Sequence, residues 1–118
     1  DKEYTKKEQK KLDYIYANSE KITSLQNDGN LVNAKKLDIQ YNQLKTLKGI
    51  ELIPNLEIIS IHHNPLENII DLKDLKNLKE ISASKESLPE KYHQFLNEFD
   101  DIKSRQNVEK LQNFLHAE

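Results

Sequence analysis

Two adjacent imidazoles, His62 and His63, are the side chains in this chain best suited to proton transfer or metal ligation near neutral pH. Adjacent strand residues point to opposite faces, so within a strand the pair would not converge on one ion. The other histidines, His93 and His116, fall in segments with helical spacing, and no third ligand stands at a suitable spacing. No metal site is expected. The absence of cysteine removes thiolate ligands, thiol nucleophiles and disulfides. Gly29 and Gly49 are the only glycines, so there is no glycine-rich phosphate loop. Carboxylates are plentiful, but none is expected in an apolar pocket that would raise its pKa. The expectation is a chain with no catalytic residues and no cofactor, which is not an enzyme.

Whatever these residues do must be positioned by a single domain, because 118 residues suffice for one apolar core without staples. Charged residues make up 32% of the chain while the net charge is only −2, so a general nucleic-acid partner is not expected. Arg105 is the sole arginine. No apolar run approaches the roughly 18 residues that span a bilayer, so membrane insertion is not expected either. The compartment stays open: cytoplasmic, or exported with a targeting segment removed. The chain starts at Asp1 and has no methionine, which reads as a fragment or a processed product.

Internal periodicity organises the middle of the chain. A shift of 22 residues lays Leu37 on Ile59, Ile39 on Ile61, Asn42 on Asn64 and Leu44 on Leu66. The same shift lays Leu47 on Ile69, Ile50 on Leu72 and Ile53 on Leu75. Leu78, Ile81, Ala83 and Leu88 continue the pattern forward. Leu12, Ile15, Ala17, Ile22, Leu25 and Leu31 continue it backward, with Glu20 in place of asparagine. Alternation sends Leu37, Ile39, Ile59 and Ile61 inward and Lys36, Asp38 and Ser60 outward. Asn42 and Asn64 stand where the chain turns away from each strand, and an amide there can serve as a buried ladder for backbone groups.

The stretch Leu56-Glu57-Ile58-Ile59-Ser60-Ile61-His62-His63-Asn64, and residues 34–42, resemble the leucine-rich-repeat signature LxxLxLxxN. The continuations through Leu47 and Ile50, and through Ile69 and Leu72, resemble the 22-residue subclass of bacterial internalins and a leucine-rich regulator of protein phosphatase 1. The resemblance implies an α/β fold: a right-handed leucine-rich-repeat solenoid of three to four short parallel strands lining a concave face, closed by a C-terminal helical cap. The segments would be a flank at 1–11, a degenerate repeat at 12–33, repeats at 34–55 and 56–77, a partial repeat at 78–88 and the cap at 89–118.

At the N-terminal flank, Thr5 and Glu8 fit a capping box. Residues 12–22 read either as a helix, from Leu12, Ile15, Ser19 and Ile22, or as a strand centred on Tyr14-Ile15-Tyr16. Ser87 and Glu90 form a second capping box ahead of Tyr92, Phe95, Leu96 and Phe99, which share one helical face. Val108, Leu111, Phe114 and Leu115 mark a second helix, with the break between Asp100 and Asn107.

In this register four columns face outward: Tyr14, Lys36, Ile58, Glu80; then Tyr16, Asp38, Ser60, Ser82; then Asn18, Gln40, His62, Ser84; then Ser19, Tyr41, His63, Lys85. Ile58 should sit exposed at the centre with Tyr41, His62 and His63 beside it, an anchor cluster of the kind found at interface hot spots. The expected function is protein recognition through this face, by Tyr14, Tyr16, Lys36, Asp38, Tyr41, Ile58, His62 and His63. One alternative is a structural or regulatory domain of a larger chain whose partner surface is another domain. A carbohydrate or small-ligand surface on the Tyr/His patch is the other.

Overall fold

Three-residue segments alternating polar and apolar residues are too short to stand alone, and here they stand side by side. A computed structural model describes residues 33–118 and the backbone of Tyr14–Tyr16. Five strands form one sheet in chain order: β1 (Tyr14–Tyr16), β2 (Lys36–Asp38), β3 (Ile58–Ser60), β4 (Glu80–Ser82) and β5 (Asp101–Lys103). β1 to β4 are parallel, with Lys36 opposite Ile58 and Ile58 opposite Glu80, a 22-residue offset each time. β5 runs antiparallel to β4, with Ile81 opposite Ile102. The capping box at Thr5 and Glu8 and the apolar positions Leu12, Ile22, Leu25 and Leu31 lie outside the described residues, as do the side chains of Tyr14 and Tyr16.

The connections from β2 to β3 and from β3 to β4 run through short 3₁₀ turns at Ile50–Leu52 and Ile70–Leu72. Gly49, at φ 105, supplies the left-handed residue that opens the first of these. Leu37, Ile39, Leu44, Leu47, Ile50, Ile59, Ile61, Ile69, Leu72 and Ile81 are all buried in one continuous core. Full burial of such side chains contributes about 1.5–3 kcal/mol each relative to exposure.

The structure corrects the expected leucine-rich-repeat solenoid. The sheet is a single short mixed sheet that is not curled, within a compact α/β domain rather than an array of like units. The physical cause is the C-terminal third, which does not cap a stack but folds back into the sheet. Asp100 takes φ 62 and Ser104 φ 81, and the chain between them becomes β5.

The expected helical pair is corrected as well. Glu90–Phe95 is a 3₁₀ segment, Leu96 is extended, and Phe99 is 74% exposed rather than on an apolar helical face. Asn97 explains the break. Its side-chain oxygen accepts from the amides of Phe99 (2.8 Å) and Asp101 (3.0 Å), local bonds that compete with a helix. Nor does Ser87 cap a helix; its hydroxyl lies 2.6 Å from the Ser84 hydroxyl and accepts from the His63 amide at 2.7 Å.

The one α-helix among the described residues, α1 (Arg105–His116), is capped by Ser104, which accepts from the Asn107 amide at 3.3 Å. It buries Val108, Leu111 and Leu115. Buried Gln112 donates to the carbonyls of Leu72 (2.9 Å) and Leu75 (2.8 Å), pairing turn carbonyls that the helix shields from water.

β5 forms an edge, and three of the four outward backbone groups of Asp101 and Lys103 are occupied. The Ala83 amide donates to the Asp100 carbonyl at 3.1 Å, so in the antiparallel ladder Asp100 and Ile102 face β4 while Asp101 and Lys103 face away. Asn97 takes the Asp101 amide on its side chain and donates its own amide to the Asp101 carbonyl at 2.7 Å. The Asn107 side chain donates to the Lys103 carbonyl at 2.9 Å. An edge so covered offers little for strand addition.

Two predictions follow from these contacts. Asn97→Ala should lower stability by about 1 kcal/mol and give concentration-dependent self-association through the uncovered edge; wild-type melting with a monomer at every concentration in sedimentation would mean that Asn97 does not guard it. The second concerns Glu118, whose carboxylate pairs with the Lys91 ammonium and accepts from the buried Tyr92 hydroxyl at 2.9 Å. The Lys91 hydrogen bond, aided by Tyr92 and opposed by partial burial, holds the Glu118 carboxyl below its ordinary value of 4.5. With the folded value depressed, this stabilisation is present above pH 4.5 and lost as pH falls through the folded pKa. Glu118→Gln should therefore flatten the acid limb of a plot of melting temperature against pH, and an unchanged acid slope would count against the latch.

Candidate functional site

Alternation in the short strands brings two polar rows to the sheet face opposite the core. One row runs Lys36, Ile58, Glu80 and Lys103, and the next runs Asp38, Ser60, Ser82 and Asp101. Tyr14 and Tyr16 extend the rows only by their backbones, opposite Lys36 and Asp38. Ile58 is half-buried rather than exposed, and Lys36 is exposed.

Asp38 accepts from the Gln40 side chain at 3.1 Å. Asp101, which the sequence reading did not place on this face, accepts from the Ser82 hydroxyl at 2.9 Å, and His62 Nε2 lies 2.6 Å from the same hydroxyl. The signal for Asp101 was its triplet Asp101-Ile102-Lys103, polar-apolar-polar after the turn-forming Asn97 and Asp100.

Tyr41 and His63 stack beside this line, with ring centroids 4.3 Å apart and planes 13° from parallel. Both have left-handed backbones, φ 60 and φ 56. For bulky side chains such a conformation costs on the order of 1–3 kcal/mol each. The strain is held by two amide bonds, Tyr41 N–H to the His62 carbonyl (2.8 Å) and His63 N–H to the Ser87 hydroxyl (2.7 Å), and the stacking offsets about 0.5–1.5 kcal/mol of it. His62 and His63 rings are 6.3 Å apart and stacked at 28°, not converging on a point.

A histidine, a serine and an aspartate in line invite comparison with a nucleophile triad, and the order decides against one. In a triad the imidazole lies between the two, accepts the serine proton and is held by the carboxylate. Here serine lies in the middle. Its single proton goes to Asp101, so His62 Nε2 donates to the serine oxygen. Ser82 is a bridge and not an activated nucleophile.

The remaining histidines bind backbone. His93 Nε2 meets the carbonyls of Lys85 (2.8 Å) and Leu88 (2.9 Å), and His116 Nε2 meets the Lys73 carbonyl (3.1 Å) and Asp74 (3.0 Å). Asn64 donates to the carbonyls of Ile39 (3.0 Å) and Ile61 (3.1 Å) and accepts from the Leu44 amide (3.1 Å); Asn42 donates to the Ile39 carbonyl at 2.8 Å. One carboxylate departs from the sequence expectation. Asp71, beside a cleft of about 190 Å³, has its pKa raised by burial and by neighbouring Glu51.

No family model, curated protein or solved structure matched this chain. The expected membership of the 22-residue leucine-rich-repeat subclass is corrected by the mixed, uncurled sheet. The expected protein-recognition site on a concave face falls with it, because that face is not present. No helix among the described residues is long and apolar enough to cross a membrane.

The Ser82 geometry makes a direct prediction. A fluorophosphonate probe should leave Ser82 unlabelled in the folded chain. Stoichiometric labelling, lost in His62→Ala, would show that the proton runs to the imidazole after all.

Proposed function

We propose that this chain is a structural domain of a larger protein, without catalytic activity, and that its partner surface is another domain of that protein. One observation carries the reading: the side chains with chemical competence are turned onto the fold's own backbone. Asn64, Gln112, His93 and His116 each hold carbonyls of turns or strand ends. Ser84 and Ser87 hold the left-handed turn at His63. Groups fixed in this way stabilise geometry and have little freedom to bind or transfer anything else.

Phe99 is the surface residue that suits contact with a neighbouring domain. It is 74% exposed on a turn whose amides are pinned by Asn97, so the backbone that carries this large apolar side chain is held in place. An anchor already ordered loses less entropy on docking. A protein partner is thus supplied within the same chain, and nucleic acid is no part of the reading at a net charge of −2.

Hydrogen exchange tests this on the 118-residue chain and on any longer protein that contains it. Amides from 96 to 104 should exchange at least about tenfold more slowly in the longer protein, equivalent to roughly 1.4 kcal/mol of added protection. Phe99→Asp should abolish that difference while leaving the melting of the shorter chain unchanged. Identical exchange in the two proteins would overturn the proposal.

A further inference from the structure

At the end of the sheet away from Tyr41 and His63, the residue before β3, the loop before β4 and the start of α1 border a shallow, open cleft of about 320 Å³. It is lined by Glu57, Lys76, Asn77, Lys79 and Arg105. Three of these five are cations and one is a carboxylate, in a chain whose net charge is −2. Positive charge is therefore in local excess against the sign of the whole molecule, and such a patch attracts an anion.

Arg105 is already oriented. Its Nη1 donates to the carbonyls of Leu78 (2.6 Å) and Leu75 (3.2 Å), buried residues that flank Lys76 and Asn77. One edge of the guanidinium is thus tied to the loop that carries two other lining residues. Its Nη2 is 4.0 Å from Glu109, whose side chain is 58% exposed, a contact that contributes little. The guanidinium keeps further N–H groups for a ligand, in a planar fork that loses little freedom on binding. Lys79 is steadied by Glu57, at 3.2 Å, and the two chains are also joined by the Lys79 amide donating to the Glu57 carbonyl at 2.8 Å. Lys76 and Asn77 are exposed.

We propose that this cleft is a binding site for a phosphate group, either inorganic phosphate or a small phosphomonoester. Donors of three kinds, a fixed guanidinium, two ammonium groups and an amide, reach it from the loop and from the helix start. A tetrahedral dianion presents oxygens in several directions and matches both the charge and the spread of these donors; a single carboxylate matches neither. The cleft, about 320 Å³ and open to solvent, leaves room for phosphate with a short organic group. The site goes beyond the structural role proposed above and does not depend on it, since Phe99 lies on a different loop.

The test is a titration of the isotope-labelled 118-residue chain with inorganic phosphate, then with glycerol phosphate, at constant ionic strength. Near neutral pH the phosphate carries about 1.5 to 2 negative charges. Saturable amide shifts confined to 76–79 and 105–107 are expected. A Lys76→Gln/Lys79→Gln double variant should weaken binding at least about fivefold, roughly 1 kcal/mol, with the same melting temperature because both lysines are exposed. Tighter binding of the ester than of phosphate would identify the source as a phosphomonoester, and equal or weaker binding as inorganic phosphate. Shifts that rise linearly, that spread over lysines elsewhere, or that persist in the double variant would mean an adventitious ion only and would overturn the site. Arg105→Lys, which keeps the charge and removes the fork, supplies a second variant should the first titrate ambiguously: full binding in it would also overturn the assigned geometry.

Discussion

The carboxamide of Asn64 joins three backbone segments that have no strand partner at that depth: the carbonyls of Ile39 and Ile61 and the amide of Leu44. The rest of the domain depends on this kind of bond. Strands of three residues satisfy few backbone groups, and the long connections between them pass through an apolar interior where each unpaired donor or acceptor costs about 1–3 kcal/mol. A core made of leucine and isoleucine alone would be destabilised by its own connections. Buried asparagine, 1% exposed, lets the chain turn away from each strand without leaving the core.

The same constraint governs the C-terminal third. Turn carbonyls at Leu72, Leu75 and Leu78 face the region covered by α1, and the helix brings Gln112 and Arg105 to meet them. Val108, Leu111 and Leu115 supply the apolar cover, while the two polar side chains make that cover compatible with the carbonyls beneath. The antiparallel return of β5 does the equivalent service for β4, and Asn97 and Asn107 finish the new edge. Bonding capacity in this molecule is spent on closure, at the interior turns and at the sheet margin alike.

The parts of this fold legible in the sequence are those governed by local periodicity. Leu37, Ile39, Ile59 and Ile61 alternate with polar neighbours and are buried, and Asn42 and Asn64 occupy the turns after them. Periodicity does not carry topology. β5 is three residues long, with one apolar side chain, and its polar-apolar-polar triplet alone fixes neither its partner nor its direction. Its pairing with β4 comes from long-range closure, so an expectation built on like units extended the parallel pattern to the wrong architecture. The helical reading of Tyr92 to Phe99 failed for a different reason. Four apolar residues at helical spacing say nothing about Asn97, whose side chain captures the two amides a continuing helix would need. The candidate site was legible to the same extent. His62 and Ser82 were placed on one face, but Asp101, which fixes the direction of the serine proton, arrives on the strand that periodicity missed.

That direction of proton donation bears on how the face as a whole should be understood. Ser82 joins β4 to β5 through Asp101 and to the end of β3 through His62, so three strand ends are coupled by side chains across the margin where the sheet changes from parallel to antiparallel. Backbone pairing alone is limited there, as at every junction of this sheet, because each strand contributes only a three-residue ladder. A hydrogen-bonded line across that junction holds β5 in register, and register in so short a strand decides whether Ile102 points into the core or out of it. Ile102 is 2% exposed, so the register is the correct one for burial. The polar line on one face and the buried isoleucine on the other act on the same three residues from opposite sides. Histidine, serine and aspartate are suited to this task for the reason they are suited to catalysis elsewhere, that each makes short directional bonds; here the order in which they stand turns that capacity to holding a strand in place.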